Sequence, residues 1–167
     1  MTYQTGEGVL GILRVAGAPV AGTSEVQTLT IGGTPTSGTF RLQLEGIMTA
    51  AITWSATNAT LLANMNTAMD AAWGTGSVVA AAGTLTAGIG TVTLTFGANR
   101  ALQAVPTIVV ADNSLAGTAP TLAIAETTPG ISATSRGATK GALLIDTTNG
   151  TIYQNTGTAI APTWSAR

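Results

Sequence analysis

Seven carboxylic acids, Glu7, Glu25, Glu45, Asp70, Asp112, Glu126 and Asp146, are the only acids in 167 residues, and each stands many positions from the next. Two of them brought together in space would make the pair that acid/base or glycosidic chemistry needs. No local spacing pairs them, so solvated surface and turn positions are expected instead. Histidine and cysteine are both absent. The first absence removes the usual general base and the commonest transition-metal ligand. The second removes disulfides, thiolate metal sites and cysteine nucleophiles. Serines are present, but none lies in a Gly-x-Ser-x-Gly elbow and there is no His to activate one. Asp112-Asn113-Ser114 offers oxygen ligands without the spaced acidic loop of an EF-hand, and is expected to be a turn after a strand. Gly32-Gly33 runs into Thr34-Pro35, not into the Gly-Lys-Ser/Thr end of a phosphate loop, so these glycines are expected in a turn. Of the aromatic residues that might stack on a sugar, Trp54 and Trp73 fall on expected core faces. Tyr153 and Trp164 remain as candidates for an exposed tip, with packing against each other as the competing role. No catalytic residue, metal or cofactor is expected, and the chain does not read as an enzyme.

Charged residues make up 8% of the chain, about a third of the ~25% usual for soluble proteins, while 45% is hydrophobic. Its surface must therefore be built from Thr, Ser, Asn, Gly and Ala. Such a surface repels its neighbours weakly and tolerates close association, which suits a subunit of an assembly. Arg14, Arg41, Arg100, Arg136, Lys140 and Arg167 are scattered, with a formal net charge of -1, so no basic cluster matches a phosphate backbone and no nucleic-acid partner is expected. Mean hydropathy is +0.39, yet no run approaches the ~18 uninterrupted apolar residues of a membrane span, so no membrane partner is expected. The opening residues lack the basic start and apolar core of a signal peptide, which implies synthesis in a cytoplasm.

The elements that must carry these residues follow from periodicity. Residues 1–24 are Gly-rich with isolated apolar anchors at Val9, Leu10, Ile12, Leu13 and Val15, and glycines at 6, 8, 11, 17 and 22 disfavour a helix. Such an arm either adds an edge strand to its own domain or lies across a neighbouring subunit; the second is favoured, making those five residues the candidate intersubunit contact. A regular alternation then places Leu29 and Ile31, with Val26 out of phase, on one strand and Phe40, Leu42 and Leu44 on the next, joined by a turn at 32–37. A third strand with Ile47, Ile52 and Trp54 completes an antiparallel meander with one apolar and one Thr-rich face. Leu61, Leu62, Met65, Met69, Ala72 and Trp73 change to helical spacing, with Thr57 or Asn58 as N-cap and Gly74 as a left-handed C-cap, predicting a helix over about 58–73. About four strands follow, in 78–88, 91–96, 106–112 and 121–127. Pro129-Gly130 opens a linker. Leu143 to Ile145 and Thr151 to Tyr153 flank Asn149-Gly150, predicting a terminal hairpin whose tight turn has positive φ at its centre. The fold expected is thus mainly β within the α+β class: an antiparallel β-sandwich-like domain (25–130) with one helix packed on a sheet, an extended N-terminal arm (1–24), and a linker with a C-terminal β-hairpin module (131–167).

The terminal DTTNGTIYQNTGTAIAPTW of residues 146–164 resembles modules at the ends of bacteriophage head-fibre and other virion surface proteins. The body, with EVQTLTIGG, SGTFRL, TAAITWSAT, a helix, GTVTLTF and TTPG in order over residues 25–130, resembles a β-rich module recurring in phage structural proteins and large bacterial surface proteins. The resemblance implies a structural virion protein: a capsid decoration, cement or head-fibre subunit on the virion surface, with the major capsid protein as partner and the arm residues Val9, Leu10, Ile12, Leu13 and Val15 as its capsid contact. The sparse charge and the apolar arm add the expectation of a homotrimer. The alternative is a tail-fibre or surface adhesion module binding a host receptor or glycan through Tyr153 and Trp164. Against it, the chain has no repeated segment to build a shaft.

Overall fold

The structure, a computed structural model, describes residues 12–167, so Val9 and Leu10 of the expected arm lie outside the described residues. In chain order the elements are β1 (Ile12–Val15), β2 (Val26–Leu44), β3 (Ile47–Met48), β4 (Ile52–Thr53), α1 (Asn58–Trp73), β5 (Val78–Ala82), β6 (Gly90–Phe96), β7 (Val109–Thr128), β8 (Leu143–Asp146), β9 (Ile152–Asn155) and β10 (Trp164–Ala166). They form two compact units, one of residues 24–130 and one in which residues 12–23 join 131–167. The protein is mainly β with one α-helix among the described residues, in the α+β class that the periodicity predicts.

In the larger unit, β2 and β7 are 19 and 20 residues long and pair antiparallel along their whole length. Each was expected as two strands separated by a turn, and the reason they run on lies in the parity of their buried residues. Alternation buries Gln27, Leu29 and Ile31 at odd positions of β2, then Phe40, Leu42 and Leu44 at even ones. A uniform strand would turn one of these sets out to solvent. The β2–β7 register shifts between Gly32 and Thr34 and again between Pro35 and Ser37, and these irregularities change the parity within one continuous strand. Glycines permit the crossing. Gly33, Gly38 and Gly117 have φ of +73°, +104° and +137°, where a side chain is strained. The Gly-Pro signals thus mark a corner in a ribbon, not the ends of strands.

The two halves of β2 take different neighbours, β6 for residues 26–31 and β3 and β4 for residues 39–44. β5 continues the first half by pairing with β6. The inner faces meet α1, whose Leu61, Met65, Met69 and Trp73 join Leu29, Ile31, Phe40, Leu42, Leu94 and Phe96 in one core. At roughly 1.5–3 kcal/mol for each large apolar side chain buried, packing holds this helix in place, since its capping is sparse. Thr57 stands at the N-cap without a side-chain hydrogen bond, and Gly74 caps through its N–H to the Asp70 carbonyl with an extended ψ of 144°, not the left-handed geometry expected. The Asn58 amide instead bridges outward, donating to Leu85 O and accepting from the Gly88 N–H.

The smaller unit is a four-stranded sheet in the order β1-β8-β9-β10. β1 runs parallel to β8, and the other pairs are antiparallel. Residues 131–142 do not act as a bare linker here: Ile131 and Thr23 exchange both backbone hydrogen bonds, and Thr134 Oγ accepts from the Val20 N–H.

Candidate functional site

The outer face of β5, β6, β2 and β7 carries a regular array of threonine and alanine side chains. The alternation that buries Val92, Leu94 and Phe96 turns Thr91, Thr93 and Thr95 outward, and on β2 it turns out Val26, Thr28 and Thr30. Register then sets Thr28 beside Thr93 and Thr30 beside Thr91, flanked by Ala81 of β5 and by Ala123 and Ala125 of β7. Threonine hydroxyls thus fill the two central strands of these rows with alanine methyls on the flanks, and the rows hold no ionisable side chain. Such a face offers neutral hydrogen bonds and apolar contact without long-range charge. Among the described residues, no three Asp or Glu side chains gather in a way that could hold a metal ion, and no helix is long and apolar enough to cross a membrane.

The candidate arm residues Ile12, Leu13 and Val15 lie in β1, paired with Leu143, Leu144 and Asp146 of the same chain. Of the two roles open to the arm, an edge strand of its own unit is therefore the one these three residues occupy. Ile12 keeps 64% of its surface exposed, while Leu13 and Val15 are half-buried and Leu13 lines an open depression of about 530 Å³ with residues 135–139. Tyr153 and Trp164 are both half-buried and one diagonal step apart, since Trp164 pairs with Asn155 and Tyr153 with Ala166. Trp164 is tied down by its indole N–H, which donates to Thr134 O at 3.0 Å. The hollow beside it, between residues 19–21 and 162–164, has a volume of about 190 Å³. Asp112 to Ser114 form no turn but a stretch of β7, where the Ser114 hydroxyl donates to both Asp112 oxygens at 3.1 Å. Trp73 is buried as expected, and half-buried Trp54 donates its indole N–H to Gly88 O.

The polar residues that organise both units are two acids expected at surface or turn positions, Asp146 and Glu25, and two amides not singled out from sequence, Asn155 and Gln27. Asp146 is fully buried. Its Oδ1 accepts from the N–H groups of Gly17 (3.0 Å), Thr148 (2.8 Å) and Asn149 (3.1 Å), and its Oδ2 from the Asn149 side-chain amide (2.6 Å). One carboxylate thus shapes the turn between β8 and β9 and ties it to the residues after β1. The turn is wider than the Asn-Gly pattern predicts, since only Gly150 has positive φ. Asn155, also buried, plays a similar part, donating to Ala138 O and accepting from the Gly157 and Thr163 N–H groups. In the larger unit Glu25 and Gln27 are buried at the start of β2. The signal for this pair was in the alternation, because Val26 out of phase places Glu25 and Gln27 on the inward side with Leu29 and Ile31.

The hydrogen bond from the Asn149 amide, with those from the Asn149, Thr148 and Gly17 N–H groups, holds the Asp146 carboxyl below its ordinary value of 3.8 against the opposing effect of burial. A lowered value means that the unfolded chain takes up the proton more readily. The contribution of Asp146 to stability is therefore complete above the ordinary carboxyl range and is lost as pH falls through the lowered value. In an acid titration followed by amide NMR, the Gly17, Thr148 and Asn149 signals are expected to hold steady down to about pH 4 and to move together below it. Asp146→Asn removes that joint transition; a variant that keeps it would assign the titration to another group. Compared with protein-family models and with curated proteins, the chain matches none.

Proposed function

We propose that this chain is a structural protein of a bacteriophage virion that binds the outside of the capsid and stabilises or decorates it, as a cement, decoration or head-fibre subunit. The observation that carries most weight is the uncharged Thr/Ala face of β5, β6, β2 and β7, because it suits apolar burial and neutral hydrogen bonding against a shell of protein subunits. The resemblance of residues 146–164 to the ends of virion surface proteins points the same way. Exposed Ile12, on the edge strand β1, offers a second apolar contact. A subunit that bridges neighbouring capsid proteins stabilises them by mass action, as any ligand of a native assembly does. The reading includes a homotrimer and a place on the virion surface. The adhesion alternative draws less support, because the Trp164 indole already serves Thr134.

The test mixes purified protein with undecorated capsids, followed by sedimentation and a thermal disruption curve. Binding with a raised disruption temperature is expected, and the double variant Thr30→Lys/Thr93→Lys should weaken binding by about tenfold or more, the equivalent of ~1.4 kcal/mol. Adsorption to host cells without any capsid binding would favour the adhesion reading instead.

A further inference from the structure

Asn149-Gly150 is the only Asn-Gly sequence in the chain, and both residues are exposed to water. Asn-Gly is the dipeptide most disposed to spontaneous deamidation, because a glycine nitrogen meets no side chain as it approaches the neighbouring amide carbon. In this turn both partners of that reaction are engaged elsewhere. The Gly150 N–H donates to the Asp146 carbonyl at 2.8 Å. The Asn149 amide nitrogen donates to Asp146 Oδ2 at 2.6 Å, and the Asn149 main-chain N–H to Oδ1 at 3.1 Å. Asp146 therefore holds the nucleophile by its carbonyl and the leaving group by its carboxylate. Its negative charge also disfavours loss of a proton from the nearby Gly150 nitrogen.

We propose that Asn149 is a latent deamidation site, kept closed by Asp146 and opened when that residue lets go of the turn. In the reaction hydroxide removes the proton from Gly150 N, which bonds to Asn149 Cγ. The Cγ–Nδ2 bond breaks, and ammonia leaves with a proton from water. Water then opens the resulting cyclic imide at either carbonyl to give aspartate or isoaspartate, so the net change is water in and ammonia out. No oxidant, metal or enzyme takes part. The product sets a second carboxylate against Asp146 where an amide had donated to it. Repulsion replaces the hydrogen bond, and the isoaspartate form also lengthens the backbone between Asn149 and Gly150. Either change loosens the grip of Asp146 on the Gly17 N–H, so the chemistry would act as a one-way release of the residues after β1 from the hairpin.

The experiment incubates the full chain in mildly alkaline buffer at physiological temperature and follows Asn149 by peptide mass spectrometry, with chain held unfolded in urea as the reference. Amide hydrogen exchange of β8 and β9 is read on the same samples. The folded protein is expected to deamidate at Asn149 at least about tenfold more slowly than the unfolded reference. Asp146→Ala should recover most of that rate, and Asp146→Asn, which keeps an acceptor for the main-chain N–H groups, should fall between them. Both should do so with the amides of residues 143–145 and 152–155 still protected. Equal rates in folded and unfolded protein would overturn the proposal. So would variants that deamidate no faster than the parent, or that speed up only in proportion to lost protection of β8 and β9.

Discussion

Gly117→Ala is expected to destabilise the larger unit by about 3–5 kcal/mol. The added Cβ would lie 2.1 Å from Thr34 O and 2.9 Å from Pro35 Cα, at a φ of +137° that L residues rarely adopt. Backbone on the opposite strand, not a flexible side chain, must move to make room. Gly33→Ala meets the same obstacle from the other side, with its Cβ 2.1 Å from Ala119 O. Gly46→Ala separates strain from collision, because its φ of +83° is also left-handed but nothing lies within 4 Å of its Cβ. That control should cost about 1–2 kcal/mol, the penalty of the backbone conformation alone. Urea unfolding of the three variants measures the difference. Equal losses at Gly46 and Gly117 would show that the two ribbon strands do not approach as closely as described.

The same corner explains where the sequence was legible. The helix over 58–73 is written in six apolar residues at helical spacing, and no distant partner is needed to read it. The inward and outward faces of β2 were equally plain from Leu29, Ile31, Phe40, Leu42 and Leu44. Glycine and proline at 32–38 and 117–120 give the same local signal for a turn as for a bulged crossing. The choice depends on whether Thr34 and Gly117 meet, a contact between residues about eighty positions apart. The pairing of β1 with β8 is hidden for a similar reason. A parallel neighbour leaves no turn signature, and Ile12 to Val15 carry no more than a short apolar run. Asp146 is expected at a surface or turn position, and Asn155 carries no signal of its own, because burial of a polar residue is decided by the N–H groups it can reach. Those of Gly17 and Thr163 come from elsewhere in the fold. For the candidate site, the Thr-rich outer face was visible in the alternation, whereas its rows required the register of four strands.

Gln27→Leu is expected to cost about 4 kcal/mol or more, although leucine is close in size and the position is completely buried. The wild-type amide accepts from the Ile108 N–H at 2.8 Å, donates to Pro106 O at 3.2 Å, and donates to the Glu25 carboxyl. Glu25 in turn accepts from the Val105 N–H at 2.6 Å. Between them the two side chains satisfy the backbone of the segment that leads into β7. Leucine restores apolar contact and strands three polar groups at about 1–3 kcal/mol each, so the loss of partners outweighs the gain in hydrophobicity. Glu25→Gln should be milder, at about 1–3 kcal/mol, because one oxygen remains for one of its two donors while the new NH2 faces the other. The two sites share a hydrogen bond, so Glu25→Ala and Gln27→Ala should couple by about 1–3 kcal/mol in a double-mutant cycle. Simple additivity would mean that the two side chains act separately. The location of the damage is a further check: hydrogen exchange should speed up first at residues 105–113 while α1 stays protected, since the helix buries Leu61, Met65 and Met69 without help from this knot. Uniform loss of protection would instead place the knot in the cooperative centre of the unit, and β7 would then be part of what holds the sandwich closed.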